Sequence, residues 1–322
     1  MSTVVTGGAG FIGSHLVSRL LQSGREVVVA DNMHRGSHQN LIDAGVDKSY
    51  PSVDLRRYDE ALRILRGAET VFHLASYVGG VGYLHSGPMQ ELVSFREIAL
   101  IDSNVFQACL ANCVKKLVYT SSVSVYPMSK QVSSSCSLAE ADTSPYDPEG
   151  GYGWGKLMGE IQVSWLSHAF PAGIIRFFNV YGINANLDET SHVVSALIRR
   201  AVLFPKEQFV VWGDGRQERG LLYVDDAVDA LLACESRGCS NPPPVFNISS
   251  DSMITVRELA NKIVAISGKP IVPVFDATKP TGAISRGADI SRAKAILDWC
   301  PRTSLDDGLM KTYSWAERKL LK

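Results

Sequence analysis

This 322-residue sequence has no apolar run near the roughly 20 residues needed to span a bilayer. It also shows no basic leader with a short apolar core ahead of its first structured segment, so the expectation is a cytoplasmic protein without a membrane partner. Surplus charge is missing as well. With 32 Lys+Arg against 33 Asp+Glu the formal net charge is −1, which excludes polyanion-binding character and removes nucleic acid from the expected partners. Cysteine is sparse and scattered, at 109, 113, 136, 234, 239 and 300. Cys109 and Cys113 stand at i, i+4, but no nearby Cys/His pair completes a zinc set, so no metal is expected and the thiols read as reduced. No repeat or low-complexity tract is visible.

What is present is an alternation of short β-branched runs with helical patterns. TVVT (3–6) and EVVVAD (26–31) flank a pattern with Leu16, Leu20 and Leu21 on one face and Gly24 as its stop. It continues with a strand near 70–75, a helix near 89–113, a strand 116–121, a helix near 152–169 and a strand 173–178. Strands alternating with helices imply an α/β fold with a doubly wound, Rossmann-type parallel sheet. After about 180 the pattern loosens: helices near 191–204, 225–236, 255–267 and 305–320, strands near 208–212 and 245–248, and connections at NPPP (241–244) and 276–288. Residues 1–180 are therefore expected to form the dinucleotide-binding domain, with some later segments returning to its sheet. Residues 181–322 then form mainly a smaller α/β substrate lobe.

VVTGGAGFIGSHL (4–16) places Gly7, Gly10 and Gly13 between the first strand and the first helix, with Phe11 and Ile12 in the same turn. Glycine permits the tight turn and the close approach of a pyrophosphate to backbone N–H groups at a helix N-terminus. Asp31 ends the second strand, where a carboxylate accepts from both adenosine ribose hydroxyls and repels a 2′-phosphate; with Asn32 beside it, NAD is expected over NADP. Arg35 argues the other way, since an arginine can host that phosphate. Asp54 and Leu55, after a third expected strand, are candidates for the adenine. HLAS (73–76) ends the next strand with Leu74, Ala75 and Ser76 beside the pyrophosphate.

Tyr152 and Lys156 are neighbours on one helix face. A phenol near pKa ~10 is a weak base at neutral pH, and an adjacent ammonium is expected to lower it. Ser122, at the end of YTSSVSVYP (119–127), can bond the same substrate oxygen. The set suits moving a proton off a sugar hydroxyl while NAD takes the hydride.

These motifs are similar to those of the extended short-chain dehydrogenase/reductases of the nucleotide-sugar epimerase/dehydratase type, over nearly the whole chain. The pieces are TGGAGFIGSHL, DN, VDL, HLAS, YTSSVSVYP, YGWGK, RFFNVYG (176–182), VVWGDGRQERGLLYVDD (210–226) and RGADISRAKAILDW (286–299). The resemblance implies a tightly held NAD recycled in each turnover, a nucleotide-diphosphate sugar substrate and a 4-keto intermediate. It implies Phe177 near the nicotinamide, and Asn179, Arg219 and Arg286 on the sugar diphosphate. It also implies a homodimer built from the helices near 89–113 and 152–169.

Within the family, dehydratases and decarboxylating relatives place an acid just after the strand serine; this chain has Val123, Ser124 and Val125, so dehydration is disfavoured. Val78 replaces the lysine usual in UDP-galactose 4-epimerase-like enzymes. The loop SYVGGVGY (76–83) and VVWGDGRQER instead resemble GDP-mannose 3,5-epimerase and GDP-fucose synthase, which implies a GDP-sugar and puts Gly80, Val81 and Trp212 on the substrate. That branch has an acid/base cysteine where Ser124 stands, and a lysine or histidine where spacing puts His192. Ile98 departs from the asparagine usual in the long helix. An NAD-dependent epimerase inverting C4 or, with Ser124 and His192 as acid/base pair, C3 and C5 is the expectation. A 4-keto-sugar reductase or dehydratase and a non-catalytic dinucleotide sensor are the alternatives.

Overall fold

Six of the expected β-branched and apolar runs assemble into one sheet. The computed structural model describes residues 2–46 and 48–321. In it Ser2–Thr6 (β1), Glu26–Ala30 (β2), Ala68–His73 (β3), Lys116–Ser122 (β4), Ala172–Phe177 (β5) and Val245–Ile248 (β6) form one parallel sheet of order β6-β5-β4-β3-β1-β2. β6 is the late segment that rejoins the sheet. The strand expected before Asp54 reduces to a single bridge between Asp31 and Ser52. Pro51 has no N–H to extend a ladder, and only Val53 N–H, donating to Asp31 O at 2.8 Å, ties the segment to the sheet edge.

Helices cover both faces. Phe11–Gln22 (α1) ends before Gly24, whose φ of +79° needs glycine. Its Leu16, Val17 and Leu20 pack with Val5, Phe72, Val118 and Ile175, and with Ala227, Val228 and Leu231 of Val224–Ala233. On the other face Pro88–Ala111 (α2) and Gly150–Leu166 (α3) lie against each other and bury Val105, Phe106, Cys109 and Val163 on Val71, Leu117, Tyr119 and Ile174. The sheet order reverses beside β1, so a crevice opens at the carboxyl ends of β1 and β3.

The later residues supply the far wall of that crevice. Val193–Leu203 (α4), Val256–Ser267 and Leu305–Leu320 share a core of Leu197, Ile198, Val211, Leu259, Ile263 and Leu309. The stretch 276–288, expected as a connection, contains a strand: Ser285–Ala288 pairs in parallel with Glu218–Arg219 and with Ser137–Leu138. Its sequence, SRGA, has no apolar alternation, because the pairing and not its own pattern holds it extended. Among the described residues no helix is long and apolar enough to cross a membrane, and no cluster of metal-ligating side chains occurs.

Candidate active site

A cavity of about 1140 Å³ runs from the glycine turn, past the ends of β3, β4 and β5, to the later strands. At its floor Gly7 takes φ +67° and donates its N–H to Ala30 O at 2.8 Å. A Cβ on Gly13 would sit 2.1 Å from Gly7 O, so α1 approaches the turn more closely than any side chain permits. Gly7, Gly10, Phe11, Ile12 and Gly13 line the cavity where the first N–H groups of α1 lack intrahelical partners. Asp31 is buried there, its Oδ2 accepting from Ala9 N at 3.0 Å and Oδ1 from Met33 N at 2.8 Å. Arg35 lines the same cavity, bonding Thr190 Oγ1 at 2.8 Å and approaching Asp188 at 3.5 Å. Asn32 accepts from His34 N. Asp54 pairs with Arg56 at 2.6 Å, and Asn32, Asp54 and Leu55 line the same wall.

Thr6 Oγ1 accepts from the Leu74 and Ala75 amides, each at 3.1 Å, and so clamps the end of β3 to β1. Next to them Ser76 Oγ is buried with no hydrogen-bond partner, as is Asn184 Oδ1 across the cavity. An unpaired buried hydroxyl, free helix N–H groups and a carboxylate at the end of β2 are the groups a dinucleotide's pyrophosphate and ribose would satisfy. The residues therefore fit NAD.

At the other end α3 carries Tyr152 and Lys156 one turn apart, facing Ser122 at the end of β4. The phenol differs from the sequence expectation. Burial pushes Tyr152 up to about 12; the Ser122 hydroxyl opposes this, and the Asp102 and Glu149 charges add to it. Lys156 does not bring it down because the ammonium sits 4.8 Å over the Tyr119 ring and 3.5 Å from Tyr119 Oη. Phe177, 7% exposed, ends β5 on the cavity wall. Ile98 is a packing residue and not a cofactor contact: fully buried, it lies against Gly155, where a Cβ would be 3.0 Å away.

The residue the sequence reading missed is Glu149, the N-cap of α3. Ser124 Oγ donates to its Oε2 at 3.0 Å, and Arg286 Nη2 donates to the same oxygen at 2.5 Å. The acid absent from Val123–Val125 thus arrives from another segment. The available signal was a carboxylate three residues before Tyr152, at a helix start where negative charge is favoured. Burial raises the Glu149 carboxyl, but Arg286, His85 and Ser124 outweigh it and leave the pKa below its ordinary value. Arg286 also donates from Nε to Gln131 Oε1 at 2.9 Å.

Around this end, Arg219 is 8% exposed and bonds only the Glu218 and Thr281 carbonyls, at 2.8 and 3.1 Å. Burial and the neighbouring Arg286 charge lower it to about 10, so it is a buried cation with no carboxylate partner among the described residues. Asn179 donates to Gly220 O at 3.3 Å. Trp212 lies beside Gly82, and Gly80 N–H donates to Thr190 O at 2.8 Å. Val81 opens the short helix Val81–Leu84, and its side chain lies outside the described residues. His192 is the N-cap of α4 and lines the cleft with its surface exposed. The protein packed around the ring, with the Arg35 and Arg286 charges, holds its imidazole below the usual value and so neutral near pH 7.

A glycine turn, a buried carboxylate just after β2 and a Ser-Tyr-Lys set around one Rossmann-type sheet have the form of a dinucleotide-dependent enzyme. Residues 3–249 match the model of the NAD dependent epimerase/dehydratase family, and the chain belongs to that family. It is 30% identical, over 99% of its length and 82% of the relative's, to GDP-mannose 3,5-epimerase 1 of Oryza sativa subsp. japonica. It is also 30% identical to UDP-glucuronic acid decarboxylase 1 of Arabidopsis thaliana, over 99% of this chain and 70% of that one. The solved UDP-glucose 4-epimerase of Thermotoga maritima with UDP-glucose superposes with a TM-score of 0.88 at 26% identity, covering 100% of both chains. The cofactor of the family is NAD.

Proposed function

We propose that this protein is an NAD-dependent epimerase of a nucleotide-diphosphate hexose, working through a 4-keto sugar and a second proton transfer at C3 or C5. Tyr152 takes the proton of the C4 hydroxyl, Ser122 bonds the same oxygen, and Lys156 holds the cofactor ribose. When bound, NAD would supply the acceptor and donor of the C4 hydride, and its positive charge would offset the burial that holds Tyr152 up. Phe177 packs at the reacting end of the cofactor. Arg219 and Arg286 hold the diphosphate, because paired guanidinium forks match its oxygens; Asn179, Trp212 and the Gly80–Val81 turn frame the rest of the substrate.

The observation that carries the reading is the Ser124–Glu149–Arg286 contact. A ketone at C4 acidifies the C3 and C5 hydrogens, and a carboxylate kept ionised by Arg286 is set to remove one. Dehydration would need an acid at this position to protonate the leaving hydroxyl, and decarboxylation would bring a second carboxylate against Glu149. Both are less suited to a group held as the anion. His192, on the cleft wall, is the candidate to supply the proton to the other face; a bound diphosphate offsets the Arg286 part of what holds it neutral, while burial and Arg35 remain. Likeness to GDP-mannose 3,5-epimerase 1 supports a GDP-sugar. Exposed Met89, Leu92, Leu100, Trp154, Met158 and Trp165 on α2 and α3 support a homodimer joined through these helices.

The test is a panel of GDP-, UDP-, CDP- and dTDP-hexoses incubated in deuterium oxide. Deuterium at C3 or C5 of recovered sugar, greatest with a GDP-sugar, is expected. Inversion at C4 without label would overturn the second proton transfer, and no turnover of any nucleotide sugar would overturn the epimerase.

A further inference from the structure

Lys156 is 2% exposed yet makes no direct ion pair among the described residues. Burial holds its ammonium below the usual lysine range, and the Asp102 and Glu160 charges oppose it. The groups facing it are few. From its own helix come Tyr152 and Glu160. Glu160 is already forked by Arg176 of β5, at 2.8 and 2.6 Å, and bonded by Ser121. From β3 comes His73, from β4 Tyr119 and from α2 Asp102.

The last three form a buried chain whose protons can be assigned. Thr6 Oγ1 has both lone-pair sites occupied by the Leu74 and Ala75 amides, so its own O–H donates to His73 Nδ1 at 2.6 Å. His73 is therefore protonated on Nε2, which donates to Asp102 Oδ1 at 3.0 Å. Tyr119 O–H donates to Asp102 Oδ2 at 2.5 Å, leaving its lone pairs to accept from Lys156 Nζ. Asp102 thus receives two hydrogen bonds in a site with no exposure, and Lys156 is the cation left to balance it. None of Asp102, Tyr119 and His73 lines the cavity, whereas Lys156 does.

We propose that Asp102 is a positioning residue for Lys156: a buried countercharge, transmitted through the Tyr119 hydroxyl, that keeps the lysine an ammonium at the cofactor. The same chain reaches Thr6 at the glycine turn, so the cofactor's two ends share one hydrogen-bonded support. The proposal rests on Lys156 lying at the cofactor, but not on the reaction that follows.

The experiment measures NAD affinity of the full chain against pH. In wild type, affinity holds until Lys156 loses its proton. In Asp102→Asn that loss moves down by between about 1 and 3 pH units, as expected for removing an opposite charge at this range. His73→Gln, which keeps a donor to Asp102 and the charge itself, leaves it in place. An unmoved limb in folded Asp102→Asn, or an equal shift in His73→Gln, overturns the proposal. Should Asp102→Asn not fold, NMR of wild-type protein with [ε-13C]lysine decides. The Lys156 signal, assigned by its loss in Lys156→Met, is that of an ammonium at neutral pH; a neutral amine there overturns the countercharge. These readouts need no turnover, so a failed epimerase reading would leave them intact.

Discussion

Glu149 can be made neutral with almost no change of shape, and Glu149→Gln separates the two halves of the proposed chemistry. The glutamine oxygen still accepts from Ser124 Oγ at 3.0 Å, and the N-cap of α3 keeps its backbone bond to Ser124 O at 2.8 Å. What disappears is the anion. A positioned general base contributes about 10²–10⁴-fold, or roughly 3–5 kcal/mol of barrier, and exchange of the C3 and C5 hydrogens should slow by that factor. Binding should not weaken: Arg286 loses its carboxylate and, beside the unpaired Arg219, becomes freer to hold a diphosphate. The step at C4 does not use Glu149, so reduced nicotinamide and a keto sugar should build up when nucleotide sugar is added. The assays are the near-ultraviolet absorbance of the reduced cofactor and deuterium wash-in followed by NMR. Exchange within about tenfold of wild type, with normal cofactor reduction, would refute Glu149 as the base.

Three further outcomes follow from the geometry. Gly13→Ala places a methyl 2.1 Å from Gly7 O; the gain of about 1 kcal/mol in helix propensity cannot offset that, and the purified variant should elute without NAD. Arg219→Met removes a buried, unpaired cation, and KM for the nucleotide sugar should rise about 10–100-fold from loss of charged hydrogen bonds worth roughly 1.5–3 kcal/mol, with kcat changed much less. Burial holds His73 below its ordinary pKa, so the folded chain stays unprotonated where the unfolded chain takes a proton. Its stability contribution is therefore full above about pH 6.5 and falls by up to ~1.4 kcal/mol per pH unit below it, and thermal melts of His73→Gln should show a shallower acid slope.

The sheet and the cofactor end were legible because their determinants are local. β-branched runs, a glycine turn and a strand-ending Asp31 each carry their geometry within a dozen residues. Where the determinant lay elsewhere, local reading failed. Pro51 cancelled the strand expected before Asp54, and Ser285–Ala288 became a strand only because Glu218–Arg219 and Ser137–Leu138 lie on either side. The Tyr152 phenol was misjudged for a related reason. Spacing puts Lys156 on its face, but which way an ammonium leans depends on Tyr119, 37 positions before Lys156, and on Asp102, 17 positions before Tyr119, on packed elements.

Glu149 shows how a site can keep its chemistry while the letters move. The turn after Ser122 folds back so that Ser124 O accepts from Glu149 N, and α3 approaches so closely that a Cβ on Gly153 would lie 2.3 Å from that same oxygen. A side chain from the N-cap of α3 therefore ends in the space that a residue within 123–125 would otherwise fill. Two consequences follow. The carboxylate and Tyr152 ride on one helix, three residues apart, so their separation does not depend on a flexible loop. The positive end of that helix, together with Arg286, favours the anion, whereas a carboxyl placed in the apolar turn of Val123 and Val125 would be pushed toward the neutral acid. In the proposed function, delivering the group from the helix rather than from the turn favours a base over an acid, and with it proton abstraction over dehydration.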